Sequence, residues 1–475
     1  MTLPSTKTYQ YLLITTIFFG FLVLFWGLGS LQLMSLNEGR RALAIKEMFT
    51  AGSWLLPTQN GELYLTKPPL LYWCSLVISA LIGQVNEWTL RLPSAIAAAS
   101  VALMTYFYTK KHFGALAALF AIQLLMANVA FVMLARRVEI EMLLTALCFG
   151  ALLSAIRYID NKTNHYWIYL SYGLLALAVL TKGPVAMLFV TAPLLVIAVW
   201  TKNQQVKEVL TDKIGWLIFT VIALSWYVAV TVELGPNIWA AIVKHDMLNK
   251  IQADDLAKPL LSYIAWIATD FLLIIVLFLY QPKRLWAAHK NKPGFLVLVA
   301  ACVLPIIIFS IFSNKHAKYL LPIYPVIVIL LTIQVSQIFE LSTVKFKCLI
   351  LILGMLLVII FVGFYMFFES KVFEYRVSVF PQFQSWSKTV PVKQIYAFEA
   401  IDTRVIYYAE KPIKIISLKA VLQLKAAKQS ALVLSEEKYR DNVAKNSDCQ
   451  IKVFEPYLKK NKKLFVYGFG SLCTN

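Results

Sequence analysis

The chain contains 475 residues, of which 59% are hydrophobic and 15% are charged, and its mean hydropathy is +0.68. Soluble domains contain about a quarter charged residues, so this composition excludes an ordinary soluble protein and indicates a polytopic α-helical membrane protein. The net charge of +20 does not indicate nucleic-acid binding, because lysine and arginine accumulate in the short loops of membrane proteins. The sequence also contains no basic tract with interleaved aromatic residues on a soluble domain, which is the pattern expected of nucleic-acid binding.

A helix needs roughly 20 apolar residues to cross the hydrocarbon core of a bilayer, and many blocks of this length are present. The first is too long for the core of a signal peptide, so we interpret it as a retained helix. We predict about 11–13 transmembrane helices. The clear blocks cover residues 11–34, 92–109, 115–135, 142–156, 167–181, 185–200, 214–232, 260–280, 295–313, 320–339 and 348–368.

The short block 69–83 is ambiguous and decides the topology. It begins within the pair Pro68–Pro69 and carries Tyr72 and Trp73, and such aromatic residues favour the membrane interface. If the block spans, the loop before it faces away from the later polar loops. If it lies in the interface, one face holds the loops 35–91, 136–141, 182–184, 233–259 and 314–319. We predict the interfacial arrangement, because it brings the unusual polar residues together and leaves short basic connectors on the opposite, cytoplasmic face.

Residues 369–475 differ from the membrane domain 1–368 and predict a small α/β domain, which is extracytoplasmic on this topology. Short β-rich runs cover 394–398, 405–408, 413–416, 431–434, 451–454 and 464–467, and helical patterns cover 418–428 and 436–445. Cys449 and Cys473 are the only cysteines of this domain. Because an extracytoplasmic compartment is oxidising, a disulfide between them is a hypothesis.

The first loop contains a carboxylate, Glu38, at the membrane exit of the first helix, with Arg40 and Arg41 beside it. A charge at that depth is costly unless it is paired or used. The apolar spacing over residues 38–49 predicts an amphipathic surface helix. We therefore expect a structural helix that also presents Glu38 as a candidate functional group.

The loop 136–141 is short, joins two predicted spans and carries two arginines and two carboxylates, among them Arg136, Glu139 and Glu141. One alternative is a mutually neutralised cluster at headgroup level. The other is a functional site, in which a carboxylate orients or deprotonates an acceptor and the arginines grip a phosphate bidentately. The residues alone leave both open.

The first loop resembles the signature of the bacterial branch of the protein-mannosyltransferase-like superfamily, which includes the lipid A aminoarabinose transferases. The matching residues are Glu38, Arg40, Ala42, Lys46-Glu47-Met48, Gly52-Ser53-Trp54, Pro57, Asn60-Gly61-Glu62, Tyr64 and Lys67-Pro68-Pro69. The similarity continues through 91–94, 180–184 and 318–325, and covers roughly residues 10–335.

This resemblance implies a hexosyl- or pentosyltransferase that takes a sugar from a polyprenyl-phosphate carrier on the outer face of the bacterial inner membrane. The resemblance does not specify the acceptor, which is lipid A or lipopolysaccharide, another glycan, or a protein. Membrane lipid is a further expected partner. The rivals are a transporter or flippase of lipid-linked saccharides, which should show repeat symmetry, and an inactive relative. The residues implied in binding the donor phosphate are Arg40, Lys67, Arg136, Lys182, Lys315 and Lys318.

Departures from the family pattern bear on the catalytic residues. The family has an acidic pair where this chain has Asn37 and Glu38, and an amide has no titratable proton near neutral pH. We therefore expect Glu38 or Glu141 to act as the base, with Glu139 as a further candidate.

A divalent metal is the one candidate cofactor that the resemblance suggests. Its candidate ligands are His245 and Glu62, since the family's acidic residue before Lys67 is Thr66 here.

Overall fold

The computed structural model describes residues 6–162, 164–240, 242, 258–271 and 282–473. In this part of the chain, eight helices are long and apolar enough to cross a membrane, or nine if one bent pair counts as a single span. A five-stranded sheet lies near the C-terminus. The chain is therefore a multi-pass membrane protein with a C-terminal α/β region, which confirms the predicted fold class.

Most of the helices up to residue 363 follow the predicted apolar blocks, and three short or amphipathic ones lie between them. In chain order they are α1 (Thr6–Phe25), α2 (Leu36–Ala51), α3 (Leu70–Ile82), α4 (Glu87–Phe113), α5 (Ala115–Met126), α6 (Val129–Ala135), α7 (Ile140–Asn161), α8 (Tyr166–Lys182), α9 (Met187–Thr201), α10 (Gln204–Thr211), α11 (Lys213–Leu234), α12 (Ser262–Asp270), α13 (Pro282–His289), α14 (Pro293–Ile311), α15 (Tyr324–Leu341) and α16 (Val344–Gly363). The predicted span 167–181 is the 17-residue α8, and part of 260–280 lies outside the described residues.

Two predicted spans have different bounds. The block 11–34 forms a helix only to Phe25, and Gly27 adopts a φ of 64° shortly after it, a conformation that glycine tolerates. The block 115–135 bends by 68° between α5 and α6. Asn128 stabilises this break, because its side chain accepts a hydrogen bond from the Phe131 N–H and so caps α6.

The block 69–83 forms α3, which has 13 residues. At 1.5 Å per residue such a helix is about 20 Å long, which is short of the roughly 30 Å hydrocarbon core. Its length agrees with the predicted interfacial placement.

The chain divides into two compact units. The first contains Met1–Trp26, Leu65–Cys74 and Arg91–Phe364, and the second contains Gly27–Tyr64, Ser75–Leu90 and Tyr365–Asn475. The second unit therefore includes most of the first loop, which the sequence assigned to the membrane domain. The domain boundary at residues 368 and 369 stays a prediction.

In the first unit, α7 packs against α8, α8 against α11, and α5 against α15. Among the candidate spans of the described residues, Ala317–Leu341 is the most buried, with 94% of its apolar stretch inside the protein. It opens with a 3-10 helix, Ala317–Ile323, that packs on α7. This contact brings the loop 314–319 to the start of α7.

In the second unit, α2 packs on α19 (Thr403–Tyr408). The other helices are α17 (Glu369–Val377), α18 (Val379–Thr389), α20 (Leu418–Ala426) and α21 (Arg440–Ala444). The strands are β1 (Thr58–Gln59), β2 (Glu62–Leu63), β3 (Ile395–Phe398), β4 (Ile413–Ile416), β5 (Ala431–Glu436), β6 (Cys449–Phe454) and β7 (Leu464–Phe469). The sheet order is β4-β3-β5-β7-β6, with β3 parallel to β4 and β5, and β7 antiparallel to its neighbours.

One predicted strand, 405–408, is wrong, because these residues form the end of α19. Asp402 caps this helix by accepting a hydrogen bond from the Arg404 N–H. Aspartate at that position starts a helix, and this local signal overrides the β-propensity of the valine, isoleucine and tyrosines.

The predicted disulfide between Cys449 and Cys473 is confirmed, with a Cα–Cα distance of 5.6 Å. In the β6–β7 ladder Cys449 lies opposite Gly468, and the chain then turns back through Gly470–Cys473. A Cβ on Gly468 would lie 2.8 Å from the Cys473 sulfur and 2.9 Å from the Cys449 sulfur. Glycine is therefore required beside the bridge.

We expect Cys449→Ser with Cys473→Ser to lower the unfolding free energy of this region by about 3 kcal/mol, because a disulfide of this loop length restricts the unfolded chain. Thermal unfolding of the purified protein measures the change, with Cys348→Ser as the control, since Cys348 is a free cysteine. Non-reducing peptide mapping should find Cys449 and Cys473 linked, and two free thiols would contradict the assignment.

Candidate active site

The turn between α6 and α7 is fixed by Arg136, which is 5% exposed. Its Nη1 donates hydrogen bonds of 2.9 Å and 2.8 Å to the carbonyl oxygens of Val23 and Trp26. These carbonyls lie at the C-terminal end of α1, where a cation satisfies acceptors that the helix leaves open. Arg136 therefore anchors the turn to α1, and this contact favours a positioning role.

The two carboxylates of this turn are buried and pair with two lysines, of which one contacts both carboxylates. Glu139 is 4% exposed and Glu141 is 1% exposed. The Lys318 Nζ lies 3.2 Å from Glu139 Oε2 and 3.6 Å from Glu141 Oε1. The Lys182 Nζ lies 3.2 Å from the same Glu141 oxygen. Glu139, Glu141, Lys182 and Lys318 are called the carboxylate–lysine cluster below.

Helix termini set this geometry. Glu139 is the N-cap of α7, and Glu141 follows in its first turn, where the helix dipole favours a negative charge. Lys182 lies in the last turn of α8, where a positive charge is favoured. Gly183 ends that helix with a φ of 83°, so the Gly-Pro pair holds Lys182 at a fixed break.

The cluster presents its cations outward. The lysine side chains are 15% and 20% exposed, whereas those of Glu141 and Glu139 are 2% and 5% exposed. An incoming group therefore meets ammonium groups before carboxylates. The cluster can therefore hold an anion at its ammonium groups, and behind them lie carboxylate groups of a type that can accept a proton.

Tyr319 also lies beside the cluster. It belongs to the family-like run 318–325 but was not among the predicted site residues. The Lys182 Nζ lies 4.4 Å from the centre of its ring, which is a cation–π contact. Its place directly after Lys318, in the run 318–325 that resembles the family, was the available signal.

Lys315, 3% exposed, is placed differently from Lys182 and Lys318. Its Nζ donates to the Lys258 carbonyl at 3.2 Å, and the Lys258 Nζ donates to the Lys315 carbonyl at 2.6 Å. This reciprocal pair ties two loops of the first unit together. Lys258 carried no signal in the sequence.

In the second unit, Glu38 is fully buried and its Oε2 accepts a 2.7 Å hydrogen bond from the Met34 N–H. Its own N–H donates to the Ser35 Oγ at 3.2 Å. This arrangement is close to a capping box, and it gives Glu38 a structural role at the start of α2. Asn37 is half-buried and Arg40 is exposed beside it.

Other family residues of the first loop have structural partners. The Glu47 carboxylate accepts hydrogen bonds from the Thr58 hydroxyl and the Asn60 N–H, both at 2.6 Å, and from the Gly61 N–H at 3.2 Å. Glu47 therefore holds the β1–β2 hairpin on α2. Burial lowers the pKa of Lys46, whose Nζ donates to the Tyr407 carbonyl at 2.6 Å.

Three predicted site residues remain, Glu62, Lys67 and His245. Glu62 is exposed on the β1–β2 hairpin, and Lys67 is half-buried in the first unit, just before α3. His245 lies outside the described residues. Among the residues that the structure describes, no group of three or more histidine, cysteine, aspartate or glutamate side chains could hold a metal ion.

Sequence comparisons identify relatives of the chain. A family model described as dolichyl-phosphate-mannose-protein mannosyltransferase matches residues 66–232. An uncharacterized protein of Aquifex aeolicus is 26% identical over 390 residues, covering 82% of this chain and 85% of that protein. An undecaprenyl phosphate-alpha-4-amino-4-deoxy-L-arabinose arabinosyl transferase of Aeromonas hydrophila is 25% identical over 300 residues. That match covers 62% of this chain but only 54% of the transferase, so the chain spans about half of its length.

Solved structures share the fold. ArnT from Cupriavidus metallidurans bound to undecaprenyl phosphate has a TM-score of 0.77 at 17% identity, and the match covers 98% of both chains. The oligosaccharyltransferase of Archaeoglobus fulgidus has a TM-score of 0.60 at 12% identity, covering 95% of this chain and 70% of that chain. At these identities the likeness establishes a common architecture.

Proposed function

We propose that the chain, which is similar in sequence to the protein-mannosyltransferase-like and aminoarabinose-transferase-like glycosyltransferases, transfers a sugar from a polyprenyl-phosphate carrier to an envelope acceptor. The observation that carries the proposal is the carboxylate–lysine cluster, which combines partly exposed ammonium groups with buried carboxylates. The acceptor is a glycolipid such as lipid A, another glycan or a protein.

The reaction needs one bond formed and one broken. An acceptor oxygen attacks the anomeric carbon, and the bond from that carbon to the carrier phosphate breaks with its electron pair going to the phosphate oxygen. The acceptor proton passes to a carboxylate. Attack opposite the leaving group inverts the configuration at the anomeric carbon. This step therefore needs a base that takes the acceptor proton and a cation that stabilises the negative charge on the leaving phosphate.

We assign the leaving phosphate to Lys182 and Lys318, because their ammonium groups are the accessible part of the cluster. Negative charge grows on the phosphate as the bond breaks, so fixed cations stabilise the transition state more than the ground state. Arg40, Lys67, Arg136 and Lys315 were also predicted to bind phosphate. The contacts of Arg136 and Lys315 favour positioning roles, while Arg40 and Lys67 stay predictions.

We assign the proton acceptor to Glu141 or Glu38, as the sequence suggested, and Glu139 supports the cluster through Lys318. Asn37 serves by hydrogen bonding. A metal bound by His245 and Glu62 stays a prediction, and the steps above use only side chains of the described residues.

We further propose that the protein lies in the bacterial inner membrane, with the first loop and the 369–475 region outside the cytoplasm. The Cys449–Cys473 disulfide supports this side, because disulfides persist in oxidising compartments.

Single cysteines at Gln59 and Lys438 should both react with a membrane-impermeant maleimide in intact cells. A cysteine at Lys202, which is exposed in a predicted cytoplasmic connector, should react only after permeabilisation. Labelling of just one of the two outer positions would refute the topology and the interfacial placement of α3.

The proposed function is tested by the envelope glycolipids, glycans and proteins of a deletion strain. Mass spectrometry should show one acceptor lighter by one sugar residue, and the gene in trans should restore the mass. Lys182→Met should restore it much less than Lys207→Met, which removes an exposed lysine of α10. An unchanged envelope in the deletion strain would contradict the proposal.

A further inference from the structure

The segment that leads into α2 is bound by side chains of α19, and all of the contacting residues belong to the second unit. The two helices approach closely at Gly39, in the first turn of α2. A Cβ at this position would lie 2.5 Å from the Arg404 Cγ and 2.8 Å from the Thr403 Oγ1. The distance between α2 and α19 therefore leaves no room for a side chain at residue 39.

Leu33, which precedes α2, has both of its backbone polar groups bound by side chains of α19. Its N–H donates to the Tyr408 hydroxyl at 2.8 Å, and its carbonyl accepts a 3.4 Å hydrogen bond from the Arg404 Nη1. Leu33 is fully buried and lies outside any helix or strand. Because a buried backbone group without a partner is costly, these two side chains stabilise the path of the chain at Leu33.

The Tyr408 hydroxyl also binds a third segment. It donates a 2.5 Å hydrogen bond to the Glu87 Oε1, in the first turn of α4. Burial, and next the Glu87 carboxylate, raises the pKa of Tyr408 well above its ordinary value, so the hydroxyl keeps its proton. A phenol can donate and accept at once, and this hydroxyl therefore joins Leu33 to the start of α4.

Packing fixes the side chains that hold Leu33. The Phe380 ring of α18 stacks on the Tyr408 ring with their centres 4.9 Å apart, and the Arg404 Cζ lies 5.4 Å from the centre of the same Phe380 ring. Arg404 also forms two 2.9 Å hydrogen bonds to the Asp402 carboxylate. Phe380 is fully buried, and Arg404 and Tyr408 are 6% and 7% exposed. The C-terminal region therefore presents both groups in a defined orientation.

The peptide group between Leu33 and Met34 connects α19 to Glu38. Arg404 donates to the carbonyl of this peptide group, and the N–H of the same group, that of Met34, donates to the Glu38 Oε2 at 2.7 Å. A peptide group is planar and rigid. A shift of Leu33 therefore moves the hydrogen-bond donor that holds the Glu38 carboxylate.

We propose that Tyr408 is a positioning residue for the Glu38 carboxylate, and that it acts through the Leu33–Met34 peptide group. The C-terminal region thereby contributes to the transfer step. The inference rests on the proposed function, with Glu38 as the group that takes the acceptor proton. A base must lie within hydrogen-bond reach of the proton that it takes, and a misplacement of about 1 Å can cost about 10²-fold in rate.

The first test compares Tyr408→Phe with the control Tyr396→Phe in the full-length chain. Phenylalanine keeps the ring that stacks on Phe380 and removes only the hydroxyl. Tyr396 is a half-buried tyrosine of β3 in the same unit. We expect Tyr408→Phe to lower kcat by about tenfold with the KM values for donor and acceptor within about twofold of the unmodified chain. The control should match the unmodified chain in all three constants.

A double-mutant cycle with Glu38→Gln separates positioning from a general loss of structure. If Tyr408 acts through Glu38, Tyr408→Phe should change the residual rate of the Glu38→Gln chain by less than about twofold, because the carboxylate that it positions is already absent. A role of Tyr408 that is independent of Glu38 would instead multiply the two losses.

Hydrogen–deuterium exchange of the peptide that covers residues 31–38 tests the same contact without turnover. The Leu33 and Met34 amides should exchange about fivefold faster in Tyr408→Phe, because local opening no longer breaks the bond from the Leu33 N–H to the hydroxyl. Exchange in Tyr396→Phe should equal that of the unmodified chain.

Three results would overturn the inference: unchanged exchange in Tyr408→Phe, losses that multiply in the cycle, or full activity of Glu38→Gln. A chain that transfers no sugar would contradict the proposed function. Faster exchange in Tyr408→Phe would still support the placement of the Leu33–Met34 peptide group by α19, so the two failures are distinguishable.

Discussion

Glu141→Gln is expected to lower the rate of sugar transfer by about 10²–10⁴-fold, the usual cost of losing a general base. Glutamine has nearly the same shape but cannot take a proton. Glu141 lies within 4 Å of two lysines, so its charge also orients the groups assigned to the leaving phosphate. Transfer should therefore fall through kcat, with little change in the KM for the acceptor.

The control for this variant is Glu208→Gln in α10, which contacts the C-terminal end of α7. Glu208 accepts a 2.8 Å hydrogen bond from the Tyr158 hydroxyl, so the substitution perturbs a carboxylate in the same unit without touching the cluster. Activity should then stay within about twofold of the unmodified chain. If Glu141→Gln is as active as this control, the cluster is the neutral headgroup-level arrangement that the sequence left open.

Glu38→Gln is expected to cause a comparable loss, about 10²–10⁴-fold, if Glu38 takes the acceptor proton. The substitution is informative because the amide oxygen of glutamine can still accept the hydrogen bond from the Met34 N–H. The capping contact is thus preserved while the titratable group is removed. Thermal unfolding should change little, so a loss of transfer reports on chemistry.

Two neighbouring variants separate catalysis from capping at this position. Ser35→Ala removes the N-cap oxygen that accepts from the Glu38 N–H and should cost about 1 kcal/mol of stability with most activity retained. Asn37→Ala should cost less activity than Glu38→Gln, and a strong gain in Asn37→Asp would identify the chain as a weakened relative of the acidic-pair enzymes. Full activity in Glu38→Gln, with none in Asn37→Ala, would make the assignment of Glu38 wrong.

The helices were predictable because the bilayer leaves the sequence few choices: a spanning segment must be long, apolar and helical. The break at Asn128 was not predictable from hydropathy, since both halves of 115–135 are apolar and the bend depends on a single capping amide. The helix at 403–408 was missed for a similar reason. In both cases one short polar side chain outweighed the pattern of its neighbours.

The motif residues were easier to locate than to interpret. Glu47 matched the family, yet its carboxylate is used to hold the backbone of a hairpin. Arg136 was expected to grip a phosphate; its Nη1 donates to two carbonyl oxygens of the α1 terminus, and phosphate binding stays a prediction. A sequence shows that a charged residue is present at a membrane exit, but its role depends on which partners the fold brings within hydrogen-bonding distance.

The pairing of Lys318 with Glu139 and Glu141 joins distant parts of the chain, since Lys318 and Glu139 are 179 positions apart. The lysine and the two carboxylates belonged to different loops in the sequence, and only the predicted common face of those loops suggested that they meet. The 3-10 helix that delivers Lys318 to α7 had no signal of its own. The cluster was therefore anticipated as a set of loops and not as a set of contacts.

The most direct test of the proposed function is a transfer assay with the purified chain in liposomes. The donor is an undecaprenyl-phosphate-linked sugar that carries separate labels in the sugar and in the phosphate. Transfer predicts that the sugar label moves to the acceptor while an equal amount of labelled undecaprenyl phosphate is released, and that Glu141→Gln suppresses both. Movement of the doubly labelled lipid across the bilayer with its sugar–phosphate bond intact would contradict the proposal and identify a flippase.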